Sequence, residues 1–253
     1  MRYLSWTLFF ASLFATTHLA NAQAIRRESE GRKIVQEAYA FQSKLLDSTA
    51  TIDQVIQKWS ATAQNPYVRK DPDAQAIAYG CEGLLEMQKG KNVRADSLFK
   101  KSLPLFRIRE SKAPILVTYA NFERTIHHNA QSMRADEEIV KTMDSIPQLD
   151  EIPFYHASGY APYAYAIDAS FGMGQIALAD SGQRKKAIEL LSQTLKRHPG
   201  DALGLMDLTA LHRLHAMSDE DYKFKVDVLC SRKPELQTVS VLFERKFAEE
   251  EKP

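Results

Sequence analysis

Histidines and tyrosines come nearest to residues whose type and spacing could do chemistry. His212 and His215 stand three apart in a helically patterned segment, a spacing that places both rings on one helix face. A zinc site needs three or four ligands. No cysteine or well-placed carboxylate completes this pair, so both read as ordinary surface histidines, and no metal or cofactor is expected. His127-His128 is a poorer pair, because adjacent helical residues point about 100° apart. Tyr155, His156, Tyr160, Tyr163 and Tyr165 crowd the longest irregular stretch, Gln148 to Pro162, and its edge. Tyrosine combines apolar area with a polar tip, which suits a protein interface or a peptide or sugar pocket. The same rings could equally cover a junction between helix pairs. The chain lacks the phosphate-binding glycine loop, H-E-x-x-H, G-x-S-x-G and C-x-x-C-H, so no catalytic residue is assigned and an enzyme is not expected. Cys81 and Cys230 stand either as a disulfide or as two small buried thiols on separate helices.

These residues sit in a chain of 253 residues that is 44% hydrophobic and 26% charged, a composition that excludes collagen-like and wholly disordered classes. The longest uncharged stretch, Tyr3 to Ile25, has the anatomy of a secretory signal: Arg2 at its head, an apolar Leu8–Ala15, and a small-x-small Ala20-Asn21-Ala22. A membrane anchor would need about 20 predominantly apolar residues, and Thr16, Thr17, His18 and Asn21 interrupt this one. Residues 1–22 are therefore expected to be removed, leaving a single domain, 23–253, in a periplasmic or extracellular space. No second long apolar segment follows, so no integral membrane segment is expected after cleavage. Removing residues 1–22 takes out Arg2 and no acid, which leaves 32 basic against 32 acidic residues. Nucleic-acid binders usually carry a basic excess; its absence argues against that class of partner.

The dominant pattern is a helical period. Ile34/Val35, Ala38, Phe41 and Leu45/Leu46 form one amphipathic stripe. Thr51 with Gln54 has capping-box spacing, and Asp71-Pro72 pairs an acidic cap with proline at the first helical position. Further helices are expected from Asn92, from Ala113-Pro114, from Ala135-Asp-Glu-Glu, from about Ala164, from Gln183, after Asp201, after Ser218 and from Pro234. Gln237–Phe243 alternates like a strand, but a lone strand would have no partner, so helix is expected there too. The reading is all-α: about ten helices in antiparallel pairs joined by short connections.

Two segments share a phase. Tyr79, Gly83, Gly90, Ala95 and Phe99 are matched by Phe171, Gly182, Ala187, Leu191 and Pro199, with the step Gly182-to-Ala187 repeating Gly90-to-Ala95. A glycine ends the first helix and turns the chain, a small alanine allows close approach, and a large residue one turn later fills the space. Proline closes the second helix. These residues resemble the tetratricopeptide repeat, a helix–turn–helix unit of 34 residues, over about 76–109 and 168–201. Glu82 and Glu86 depart from it, standing where the family has large apolar residues. The resemblance implies antiparallel helix pairs stacked as a right-handed α-α solenoid, a scaffold whose first-helix face binds a peptide or protein segment. On that face lie Ile77, Gly80, Leu84, Met87 and Gln88 in the first unit, and Ala169, Gly172, Ile176, Ala179 and Asp180 in the second. This small, apolar surface would either accept an apolar segment or be filled by the protein's own helices. Leu84, Met87 and the tyrosine segment are the expected contacts. A helical small-ligand binder or enzyme with a pocket around His156 is the alternative.

Overall fold

A computed structural model describes residues 30–144 and 161–250, and every regular element among them is helical. The expected signal at 1–22, and Tyr155, His156 and Tyr160, lie outside the described residues. Twelve α-helices follow one another: α1 (Glu30–Gln42), α2 (Ile52–Gln64), α3 (Pro66–Arg69), α4 (Pro72–Gln88), α5 (Asn92–Ser102), α6 (Arg109–Thr125), α7 (Asn129–Asp144), α8 (Ala161–Ala179), α9 (Ser181–Arg197), α10 (Ala202–Arg213), α11 (Asp219–Arg232) and α12 (Leu236–Glu250). None of them is long and apolar enough to cross a membrane.

Helix starts follow their caps. The Thr51 hydroxyl accepts from Gln54 N–H (3.3 Å) while the Gln54 side chain accepts from Thr51 N–H (2.8 Å), so the capping box opens α2. Asp71 accepts from Ala74 N–H ahead of Pro72, Asp201 from Gly204 N–H, and Ser218 from Asp221 N–H. Four expected starts move upstream, those of α8 and α9 by only a few residues and those of α6 and α7 by about a turn or more. α6 begins at Arg109 and carries Pro114 inside it. α7 begins at Asn129, which places Asp136 in mid-helix rather than in a first turn. The alternating Gln237–Phe243 is helix, because Leu236, Val239, Phe243 and Phe247 are buried at steps of three and four residues.

The chain packs as two compact units, one within residues 21–119 and the other within 120–253. In the first, α2 lies against α1 and α4, and α4 against α5. Trp59 anchors it: fully buried, edge-on to Tyr39 at 4.9 Å, its Nε1–H donating to Gln42 Oε1 (2.6 Å). In the second, α8 is flanked by α7, α9 and α10, and α10 by α9, α11 and α12. Neighbours in sequence are mostly neighbours in space, as short connections require. Cys81 and Cys230 are both free thiols, and burial pushes the Cys81 thiol up to about 12.

Three helix ends close in the same way. Gly90, His127 and His215 take positive φ (72°, 61° and 51°) after α4, α6 and α10. Each is held by a pair of turn bonds: Gly90 N to Met87 O with Lys91 N to Glu86 O, His127 N to Arg124 O with His128 N to Glu123 O, and His215 N to His212 O with Ala216 N to Leu211 O. Gly182 does not belong to this set. α8 ends at Ala179, Asp180 turns the chain by capping α9, and Gly182 lies in the first turn of α9 with its N–H donating to Asp180 Oδ1 (2.9 Å). Counted from their turns, Ala95 and Phe99 of α5 correspond to Ser132 and Asp136 of α7. All four are buried, and Ser132 Oγ donates to Ala120 O (2.8 Å).

A left-handed conformation costs an L-residue about 1–2 kcal/mol, and glycine avoids it at some entropic expense. His127→Gly and His215→Gly should therefore each stabilise the chain by about 0.5–1 kcal/mol. Urea titration of each variant beside the parent reads this directly, and a lower midpoint for both would contradict it.

Candidate functional site

The middle of the surface expected to take a partner is closed, while Gln88 and Ala179 at its ends are exposed and Ile77 and Asp180 half-buried. Gly80 on α4 lets Ile115 of α6 settle onto the helix: a Cβ there would come within 2.6 Å of Ile115 Cδ1. Leu84, one turn on, is only 3% exposed. On α8, a Cβ at Gly172 would run into the Arg124 guanidinium and lie 2.8 Å from Asp136 Oδ2. Ala169 and Ile176 are buried, and Tyr165 is 2% exposed. Leu84 and Tyr165 thus have no side-chain surface to offer a partner, since neighbouring helices already fill the space that small residues leave. Met87 is half-buried, and the Tyr163 side chain is outside the description. Of the residues that suggested a repeat, Gly83 leaves room that a Cβ would fill to within 3.3 Å of Leu98 and Phe99, while Ala95, Phe99, Ala187, Leu191 and Phe171 are core, Tyr79 is half-buried and Pro199 is exposed.

The first unit places charge where the repeat pattern calls for apolar bulk. Glu82 and Glu86, one turn apart on α4, are both buried, and Arg94 of α5 spans them: Nη2 to Glu82 Oε1 at 2.8 Å and Nε to Glu86 Oε1 at 2.9 Å. The two carboxylates hold the Arg94 guanidinium above its ordinary value, the Glu82 hydrogen bond contributing most. Lys91 approaches Glu86 Oε2 at 3.5 Å without a hydrogen bond. Beside this triad lies a shallow groove of about 210 Å³, lined by Ser60 and Gln64 of α2, Tyr79 and Glu82 of α4, and Arg94 and Lys101 of α5. Asp73 at the head of α4 is buried too, and its Oδ1 accepts from Arg107 N–H (2.9 Å) and Ile108 N–H (3.0 Å).

The second unit buries acids with less support. Asp136 meets Arg124 Nη1 at 3.4 Å, and Arg124 also donates to Asn121 Oδ1. Asn121 in turn donates to Asp168 Oδ2 (3.4 Å), while Lys246 of α12 donates to Asp168 Oδ1 (3.2 Å) and lies 3.9 Å over the Phe171 ring. Burial pushes the Asp136 carboxyl up to about 7; Arg124 opposes the rise and Asp168 adds to it. Asp207 on α10 is fully buried, and neither of its oxygens has a hydrogen-bond partner among the described residues. Its desolvation raises the carboxyl well above the usual range, with the Ser170 hydroxyl of α8 close enough to offset part of this.

His212 and His215 do not form a pair. His215 is the left-handed turn residue, whereas His212 stacks on Tyr222 (4.1 Å, 2°), its Nε2 meeting Asp219 Oδ1 at 3.0 Å and its Nδ1 lying 3.8 Å from Glu244 Oε1. The two carboxylates face opposite ring nitrogens, so they cannot chelate one ion with it. Among the described residues no three such side chains gather to hold a metal.

Exposed apolar surface lies elsewhere. Phe224 on α11 is 69% exposed, and Val241 and Leu242 on α12 are 65% and 54% exposed. Of the fourteen residues of α11, only Leu229 is buried. Comparison with protein-family models, with curated proteins and with solved structures finds no match to this chain.

Removing the Arg94 guanidinium would leave two buried carboxylates without their shared partner. Arg94→Met should cost about 2–3 kcal/mol, discounted from the figure for a fully buried pair because Arg94 itself is more than half exposed. Placing apolar residues at all three positions (Glu82→Leu, Glu86→Leu, Arg94→Met) should recover most of that loss. Denaturant midpoints of the single and triple variants test it; a triple variant less stable than Arg94→Met would contradict the assignment.

Proposed function

We propose that this chain is an exported, tetratricopeptide-like module that holds a protein or peptide segment by non-covalent contact. Three helix ends closed by the same left-handed turn support a repeat origin, as do the small residues on which α5 and α7 approach the helices before them. The observation that carries the binding reading is the apolar surface left on α11 and α12. Phe224, Val241 and Leu242 are large, exposed and set in helices rather than loops, so they are presented without further ordering of the backbone. The first-helix face offers no comparable surface at Leu84 or Tyr165. The binding surface in this reading is therefore the α11–α12 hairpin, and the partner is one that presents apolar or aromatic side chains.

Phe224→Asp combined with Leu242→Asp tests the reading. Both side chains are mostly exposed, so the variant should fold, with a thermal midpoint within a few degrees of the parent. In the source cell, crosslinking followed by mass spectrometry should recover the same protein repeatedly with the parent chain and about tenfold less of it with the variant. Equal recovery from a folded variant would remove this surface from the function, and failure to recover any protein reproducibly would remove the scaffold reading.

A further inference from the structure

Two buried carboxyls bear on one helix. α8 carries a single charged residue, Asp168, and packs against α7 on one side and α10 on another. Gly172 and Ser170 stand two residues apart, about 200° around the helix. Asp136 of α7 and its partner Arg124 press on the first: a Cβ at Gly172 would run into the Arg124 guanidinium and lie 2.8 Å from Asp136 Oδ2, so no side chain of α8 stands between the acid and the helix. Asp207 of α10 lies by Ser170, whose hydroxyl is buried and without a hydrogen-bond partner among the described residues, like both Asp207 oxygens.

The geometry points to a proton-operated clamp: with Asp136 and Asp207 protonated, α7 and α10 close on α8 without burying a carboxylate, and ionisation weakens the grip. The groups that face Asp136 are Arg124 at 3.4 Å and, through Asn121, Asp168 and Lys246. Its neighbour Glu137 turns instead to Lys141 and to Lys186 of α9. Asp207 is faced by Arg197 and His198 from the end of α9, by Asp201 of its own helix start and by Ser170 of α8. From α11 and α12, Tyr222 engages Thr209 and Glu244 engages Arg213. One long ion pair is thus all the opposite charge that contacts Asp136, and no cation contacts Asp207 among the described residues.

The sign follows from burial. A carboxyl whose folded value lies above its unfolded one binds a proton on folding. Its stabilising contribution is complete below the unfolded value, near 3.9, and is lost as pH rises through the folded one. For Asp136 that window ends at about 7; Asp207, raised well above the usual carboxylate range, shifts in the same direction. The region around α8 should therefore be firmer in mildly acidic medium than at pH 8, opposite to ordinary acid denaturation.

Hydrogen exchange of the full chain, read by segment and corrected for intrinsic rates, tests this at pH 5.5 and pH 8.0. The opening constant of amides in α8 should be roughly tenfold smaller at pH 5.5, while α4 and α5 serve as an internal reference that does not follow. The Asp136→Asn, Asp207→Asn double variant replaces each acid by a neutral isostere, and its α8 amides should show the same opening at both pH values. The clamp is overturned if parent α8 does not slow at pH 5.5, if α4 and α5 slow equally, or if the double variant keeps the parent response. Should the double variant fail to fold, the contrast between α8 and α4 in the parent decides alone.

Discussion

A helix buried on every side has no solvent face on which to put its polar residues, and this constraint shapes both units. α4 is buried at eleven of seventeen positions and α10 at ten of twelve, well beyond the single stripe of an amphipathic helix. Any acid on such a helix must be paired, hydrogen-bonded by backbone, or neutralised. The first unit uses the first two routes: Arg94 reaches in from a neighbouring helix to Glu82 and Glu86 while its own side chain stays partly in solvent, and Asp73 caps backbone N–H groups. The second unit leans on the third, since among the described residues Asp207 has no cation in contact and Asp136 only a distant one. Two units of similar helical construction therefore accommodate their buried acids by different chemistry.

The recurring turn explains how an acid reaches the core of α7. When the helix ends at Gly90 and His127 are superimposed by sequence offset, Asp136 falls at the place of Phe99, one of the largest fully buried side chains of the first unit. The backbone geometry that buries Phe99 buries Asp136 equally. A phenyl ring gains from leaving water, whereas a carboxylate loses, so the same position changes from a packing residue into a titrating one. Gly172 opposite accommodates the pair that Asp136 makes with Arg124; a larger residue would have displaced the guanidinium and left the acid alone.

Local chemistry in the sequence proved informative and long-range chemistry did not. The caps at Thr51, Asp71, Asp201 and Ser218 are legible because donor and acceptor lie within three residues of one another. Gly90 is legible because only glycine adopts its φ freely. His127 and His215 hide the same turn behind a side chain that disfavours it, so its recurrence is invisible by residue type. Gly182 shows the reverse, a glycine in the expected place whose turn is made by Asp180 instead. Leu84 and Tyr165 were expected as contacts because the repeat resemblance implies an open inner face. Gly80 and Gly172 admit neighbouring side chains there, an effect of packing that spacing does not reveal. Glu82 and Glu86 carried a usable signal: two acids one turn apart on an otherwise apolar helix require a cation nearby, and Arg94 follows on the next helix. Asp207, the lone charge in the apolar run 202–211, carried a similar hint of burial, but no basic residue of that run answers it.

The exposed side chains of α11 and α12 set a limit on what partner they could hold. Burying one large apolar side chain completely is worth about 1.5–3 kcal/mol, and Phe224, Val241 and Leu242 are already partly covered. Together they would supply about 3–5 kcal/mol, comparable to or less than the cost of immobilising two bodies. Apolar contact alone would thus give no stable complex. The surrounding charges of α11, Asp219, Glu220, Asp221 and Asp227 against Lys223, Lys225 and Arg232, are of both signs and mostly exposed. Such a rim contributes little raw affinity but sets orientation and excludes wrongly charged partners. A partner held at this hairpin would need to match both the apolar centre and the mixed rim, or to engage more than one surface of the chain.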